Sequence, residues 1–522
     1  MGTDKDINSL KQELELKNKE IEDLKNRLAF LENQIINKNR KLFGKSSEQI
    51  DQNQLNFFNE AEQNSNSKIS EPTVEEITYK RNKPSKKSTM KDNLSNLEVV
   101  EIEHKLDDSE NKCDICNEPM EIIGTKEKDI LVYEPVKIYI ERHITYTYAC
   151  KKCEQESGEA NIITTEAPKN LITKSMASNA LLAYIISQKY ELAVPLYRQE
   201  KHLESLGVCL SRQTMSNWII ACADKLDFVY AKFREKLLES SYIQSDETTL
   251  KVINLKGDES RSKTYMWLYK TQASNEAIVL YDYQKTRSSS CPKNFLDGFN
   301  GYLQTDGYKG YNSVKNAIHI YCLAHIRRKF FEIIEPLLKD KKALERSRAL
   351  IGFNYCEQIY KLEKEIKKQY GDSNNFYEER FKIRLKELKP ILDEFSSFVN
   401  KEIENATLKY QKALEYAQEL LPNMYFILED GRLEVDNNGA ERAIKPFVIG
   451  RKNWLFSKNP KGAHASAILY SIIETAKANN LIAERYLKYL FDKMTGIDDF
   501  SKFKFDPLMP WSSEIPDYIK KK

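Results

Sequence analysis

YIQSDETTLKVI, residues 242–253, decides the fold. Here the chain changes from the period of helices to the period of strands. TYMWLYKT (264–271) and AIVLYDYQKT (277–286) continue that period, so the three runs read as a meander. PKNFLDGFN (292–300) suggests a short helix, and GYLQTD (301–306) a fourth strand ending at Asp306. IHIYCLAHIRRKF (318–330) reads as a fifth strand running into a helix. A β-β-β-α-β-α order with carboxylates at its strand ends fits a mixed α/β sheet of ribonuclease-H type.

Three acidic residues carry the chemistry. Asp246 lies on the first strand, Asp306 just after the fourth, and Glu441 in DNNGAERAIKPFVIGRKNWLF (436–456). Between the last two, residues 331–424 are helical in pattern and read as a helical insertion. Asn438 is a good N-cap, which places Glu441 three residues later, in the first helical turn. Glu441 could then be only a capping-box partner. That leaves unexplained the basic run of Arg442, Lys445, Arg451, Lys452, Lys458 and Lys461, interleaved with Trp454 and Phe456. Cations and aromatics so mixed favour a nucleic-acid groove. Two carboxylates from strands and one from a helix can hold a pair of Mg²⁺ ions, which require hard oxygen ligands. Cys322 and His325 form a lone C-x-x-H pair, read first as a buried Cys and a satisfied His. Next to Arg327, Arg328 and Lys329, His325 could instead meet a scissile phosphate.

The flanking regions differ in kind. Ile7, Leu10, Leu14, Lys17, Ile21, Leu24, Leu28, Leu31 and Ile35 alternate by three and four residues, the seam of a coiled coil that would pair chains into a homo-oligomer. A stretch rich in Asn, Gln, Ser and Lys follows and reads as a flexible linker. Cys113-x-x-Cys116 and Cys150-x-x-Cys153 can supply four thiolates to one structural Zn²⁺, with a β-rich segment between them. VPLYRQEKHLESLGVCLSRQTMSNWIIACADKL (194–226) reads as helix, turn at Gly207, and a second helix capped by Ser211. That second helix presents Arg212, Gln213, Ser216 and Asn217, types that reach base edges or phosphates.

The resulting map is a coiled coil (1–45), a linker (46–96), a zinc-binding domain (97–160) and a helical, helix-turn-helix-like domain (161–238). The catalytic core takes 239–330 and 425–480, interrupted by the insertion 331–424, with a C-terminal tail from 481 to 522. The whole is a multidomain α+β chain. A chain of 522 residues with 41% hydrophobic and 11% aromatic content can bury several cores. A net charge of +3 does not by itself indicate nucleic acid, so the local clusters carry that reading. The polar start MGTDKDINSL and the lack of a long apolar run imply no signal peptide, no membrane and a cytoplasmic protein. Nine cysteines in that compartment are not expected to form disulfides.

The two knuckles, SDETT (245–249), LQTDGYKGY (303–311), CLAHIRRKF (322–330), NNGAERAIKPFVIGRKNWLFS (437–457) and LMPWSS (508–513) together resemble transposases of the insertion sequence 66 family. The resemblance covers nearly the whole chain, including the heptads and KLFGKSSE (41–48). It implies a DDE transposase with a ribonuclease-H-like core in the bacterial cytoplasm or nucleoid. It further implies Mg²⁺-dependent cleavage and strand transfer, binding of double-stranded DNA at the element's inverted repeats and at the target, and companion proteins of the same element. Lysine stands at Lys41, Lys45 and Lys445 where an arginine is expected, which keeps charge but loses bidentate phosphate geometry. Two rivals stand beside this reading: a nuclease of the same core that does not join, and a non-catalytic zinc-containing DNA-binding regulator.

Overall fold

The computed structural model describes residues 138–144, 146–149, 162–164, 168–173, 175–253, 263–272, 276–406, 408–497 and 499–521. The expected coiled coil, the linker and the zinc ligands Cys113, Cys116, Cys150 and Cys153 lie outside the described residues. The chain divides into two units, Met1–Ile138 and Tyr139–Lys522, and every element below belongs to the second.

A two-stranded antiparallel pair comes first, β1 (Thr147–Ala149) with β2 (Ile162–Thr164). Three helices follow: α1 (Asn179–Tyr190), α2 (Leu196–Ser205) and α3 (Arg212–Leu238). The turn at Gly207 has φ +82°, a value glycine adopts without penalty. Ser211 caps α3 as expected, its hydroxyl accepting the Thr214 N–H at 3.2 Å.

The sheet has five strands: β3 (Tyr242–Leu250), β4 (Thr264–Thr271), β5 (Val279–Gln284), β6 (Tyr302–Thr305) and β7 (Ile318–Tyr321). The short helix α4 (Ser290–Phe295) lies between β5 and β6. Strand order is β5-β4-β3-β6-β7. The first three strands pair antiparallel as a meander, and β6 and β7 join parallel to β3. The fold is therefore mixed α/β around a five-stranded mixed sheet, consistent with the expected ribonuclease-H-like core.

After β7 come α5 (Leu323–Ile334), α6 (Lys341–Arg346), α7 (Ala349–Tyr370), α8 (Phe376–Ile383), α9 (Lys389–Glu402) and α10 (Leu408–Met424). They build a second apolar core with Ile326, Phe330, Ile359, Leu392, Phe395 and Leu414 at its centre. The chain then returns through α11 (Asn438–Trp454), α12 (Pro460–Ala478) and α13 (Ala483–Met494).

Helix α12 is buried on nearly every side, which explains its Ala-Ser-Ala-Ile-Leu-Tyr-Ser-Ile-Ile run. It covers the open edge of the sheet. The β5 N–H groups of Val279 and Tyr281 donate to the hydroxyls of Thr475 (3.0 Å) and Ser471 (2.8 Å). Two hydroxyls thus occupy donors that would otherwise template another strand. The stretch expected as a C-terminal tail contains α13, whose Tyr486, Leu487, Leu490 and Phe491 are buried. Asn179 of α1 ties to it through Asp492 (2.9 Å) and Thr495 (3.1 Å). Helices α1 and α3, strands β3 to β6, and α11 to α13 share one continuous core, while Ile320 and Tyr321 of β7 join the core of the insertion.

Candidate active site

Register places the first two acidic residues. Gln244 of β3 pairs with Gln304 of β6, and the strands run parallel. Asp246 and Asp306 each lie two residues further on, at the same level and on the same side by the two-residue period of a strand. Ligands of open α/β sheets bind beyond the carboxyl ends of such parallel strands. Asp306 is set by the turn that follows it: its Oδ1 accepts the Tyr308 N–H at 2.9 Å, and Gly307 takes φ +89°. Its carbonyl accepts the Tyr416 hydroxyl of α10 at 2.9 Å, so the insertion touches this position directly.

The third residue arrives by a strap across the strand ends. Gln304 donates to the Glu434 carbonyl (2.7 Å), and Gln244 to the Asp436 carbonyl (3.2 Å). Asn437 donates from its side chain to the Ser245 carbonyl (2.8 Å) and from its N–H to Cys322 Sγ (3.1 Å). The helix start differs here from the sequence expectation. Asn437, not Asn438, is the cap residue of α11, and its amide is committed to β3 rather than to the helix. Asp436 serves the first turn instead, accepting the Asn438 N–H at 3.0 Å. Gly439 crosses Gln244 so closely that a Cβ there would lie 2.0 Å from the glutamine Oε1. Glu441 sits in the first turn of α11, one residue later in that turn than a cap at Asn438 would place it.

Electrostatics link Asp246 to the other two acids, while the ligand-distance cluster among the described residues is Cys322, His325 and Glu441 and includes neither aspartate. Asp246 lies deep among protein atoms while keeping some surface open to water. Its carboxyl is held well above the ordinary range, first by burial and then by the charges of Glu247, Asp306 and Glu441. Cys322 Sγ, a ring nitrogen of His325 and a carboxylate oxygen of Glu441 lie within 4.8 Å of one another. Burial pushes the Cys322 thiol up to about 12, so the sulfur stays protonated and serves as an acceptor for Asn437. Burial, then Arg328, lowers the His325 pKa, and its buried Nδ1 has no hydrogen-bond partner in the structure. The satisfied histidine expected first is therefore not what is found.

Glu247 escaped the sequence reading. Strand alternation turns it to the face opposite Asp246, where its side chain is 3% exposed. It pairs with Arg287 and accepts the Tyr311 hydroxyl at 2.7 Å. Arg287 lies 3.8 Å over the Tyr308 ring, so this pair supports the loop carrying Asp306. Two consecutive acids in SDETT were the available signal.

The expected DNA-contacting residues divide. Arg328, Arg442 and Lys452 are exposed, as are Arg212 and Asn217 at the start of α3. Arg327 instead pairs with Glu357 and lies 4.6 Å over Phe353. Arg451 braces β3, donating to Thr248 Oγ1 at 3.0 Å and to the Thr249 carbonyl. Lys461 pairs with Asp224 at 3.0 Å. Trp454 turns inward, edge-on to Phe447 at 5.7 Å, leaving Phe456 as the exposed aromatic of that run.

A second charged group anchors the strap from behind. Arg380 donates to Glu434 (2.8 Å) and Glu363 (2.8 Å); Arg384 donates to Glu363 (2.7 Å) and to the carbonyls of Ile427 (3.0 Å) and Leu433 (2.8 Å). Arg384 has no exposed surface. Burial alone would raise Glu434, but the hydrogen bond and charge of Arg380 outweigh it and hold the carboxyl below its usual range.

Similar sequences are known. The chain is 28% identical over 418 residues to the uncharacterized protein y4jD of Sinorhizobium fredii, covering 77% of this chain and 78% of that one. It is 28% identical over 380 residues to y4qI of the same organism, covering 69% and 67%. A family model described as transposase C of IS166 homeodomain matches residues 30–102. The model described as transposase IS66 family matches residues 174–465, more than half of the chain and the whole span from Asp246 to Glu441. The chain belongs to the IS66 family of transposases.

Proposed function

We propose that this chain is a DDE transposase that cuts phosphodiester bonds at the ends of its element and joins the resulting 3′-OH to target DNA. One observation carries the reading: the parallel register of Gln244 with Gln304 sets Asp246 and Asp306 at one level, and Asp246 feels the negative charges of Glu247, Asp306 and Glu441. Three carboxylates, all hard oxygen donors, suit Mg²⁺. Asp246, Asp306 and Glu441 would hold a pair of these ions. When bound, the pair would supply Lewis-acid activation of a water or 3′-OH and stabilisation of the leaving oxygen.

The remaining work falls to the chain. Tyr308 and Tyr416 fix Asp306 through its side chain and carbonyl. Asn437 and Gly439 seat the helix that aims Glu441. His325, its pKa lowered, offers a neutral ring to a phosphate or water beside Glu441. Arg328, Arg442 and Lys452 would neutralise phosphates to either side, which positions DNA without reading its sequence. Arg212 and Asn217 would contact the terminal repeat. Pairing through residues 7–35 would bring two element ends together; deleting residues up to Arg40 should lower the mass seen by light scattering. Zinc at the four knuckle cysteines would appear as about one metal ion per chain in elemental analysis.

The test of the active site is strand transfer of a pre-nicked element end into plasmid with Mg²⁺. Asp306→Asn should lose on the order of a hundredfold or more in rate, as when one electrostatic stabiliser is removed, with DNA binding retained. Joining at the parent rate would remove Asp306 from the essential set. Hydrolysis without joining by the intact protein, with companion proteins present, would favour the nuclease.

A further inference from the structure

The helix that carries Glu441 ends on a residue its packing does not explain. Leu455 follows the last turn of α11 with φ +65°, a region that L residues avoid and where glycine is the usual choice. It is nevertheless a leucine, and 66% exposed. Phe456 beside it is 43% exposed and Ile253 47%. A bridge between Val252 and Ser457 holds these residues together. In it the Ile253 N–H donates to the Ser457 carbonyl (3.1 Å) and the Ser457 N–H to the Lys251 carbonyl (2.9 Å). The turn itself is tied by Leu455 N–H to the Arg451 carbonyl (2.7 Å) and Phe456 N–H to the Trp454 carbonyl (2.8 Å). The apolar tip is thus presented on a fixed backbone. Lys251, Lys452 and Lys458, all exposed, stand next to it in the chain. Clustered exposed apolar side chains mark an interaction site. Flanking cations select a polyanion over an apolar protein face.

We propose that Ile253, Leu455 and Phe456 form a wedge that enters a base step of duplex DNA, while the three lysines hold the phosphates on either side. The proposal rests on the transposase reading for its partner and extends it to the geometry of the bound DNA. At ~1.5 Å rise per residue, Leu455 lies about 20 Å along α11 from Glu441. That is about six base pairs of B-form DNA at ~3.4 Å each. At that distance from Glu441 the wedge acts apart from the chemistry, and bends the DNA it enters.

Binding of the full chain to a random-sequence duplex, with and without a single mismatched pair, tests this in EDTA, where no cutting occurs. Unstacking costs less at a mismatch, so the parent should bind the mismatched duplex about tenfold tighter. Leu455→Ala with Phe456→Ala should bind both duplexes alike. Leu455→Gly should raise the thermal midpoint, because the backbone strain disappears, while reducing the mismatch preference. Lys458→Ala should weaken both duplexes equally and lower the salt slope by about one. No mismatch preference in the parent, or the same preference in the double variant, overturns the wedge. A drop in oligomer mass with unchanged DNA binding would assign the tip to a second copy of the chain and overturn it as well. Since binding is read without chemistry, these outcomes are separate from the fate of Asp306→Asn.

Discussion

Two groups of enclosed charge lie on either side of the strap 434–437, and they are built on opposite rules. In the insertion, Glu363 stands between Arg380 and Arg384, and Glu434 completes the pairing. Within β3, Asp246 meets mainly the negative charges of Glu247, Asp306 and Glu441. A buried charge is tolerated when paired and hydrogen-bonded, and costly otherwise. The first group therefore behaves as structure. The second keeps a carboxyl raised by burial and like charge, an arrangement that the proposed cations would relieve. The same segment serves both: the arginines grip its back at Leu433 and Glu434, and its front delivers Glu441.

This contrast can be broken first where the charge is paired. Arg384→Ala leaves Glu363 without one of its partners and should cost about 3–5 kcal/mol in urea unfolding. A loss near zero would mean the insertion does not depend on the network. Next is the contact that couples strap to sheet. Gly439→Ala drives a methyl into Gln244, which is itself held by Gln304 at 2.8 Å, and should cost roughly 1–3 kcal/mol. It should also raise the Mg²⁺ concentration needed for half-maximal joining, and Gln244→Ala in the same chain should restore part of both.

Asp246 should respond with the opposite sign. Because the Asp246 carboxyl is raised in the folded state, the native protein binds more protons than the unfolded chain in that range. Stability of the metal-free protein therefore falls as pH rises through the folded-state value. Asp246→Asn removes the charge and should stabilise the metal-free protein at neutral pH by about 1 kcal/mol, with no gain at acid pH. Added Mg²⁺ should raise the parent's midpoint and leave the variant's unchanged. Destabilisation by Asp246→Asn in EDTA would show that its charge is compensated after all. The smallest effect belongs to a pair whose arginine is exposed and whose carboxylate is largely covered: Arg348→Ala removes the partner of Glu402 in the insertion and should cost about 0.5 kcal/mol or less in urea unfolding.

Local chemistry determined much of this protein. Alternation marked the five strands, Gly207 and Ser211 marked the turn and cap of the helical hairpin, and Asp306 and Glu441 stood at a strand end and a helix start, while Asp246 lies within β3. Each of those signals comes from residues near one another in the chain, where period and turn geometry act. What only the tertiary structure decided depends on partners far apart in sequence. Register between Gln244 and Gln304 levels the two aspartates. Asn437 was diverted from capping by a carbonyl on β3, and Trp454 was drawn inward by Phe447. Thr475 and Ser471 close the edge of β5, and Glu247 turns away from Asp246 to hold Arg287. Hydrogen-bond donors, acceptors and charges are satisfied by whatever the fold brings near, and a linear pattern does not contain that distance.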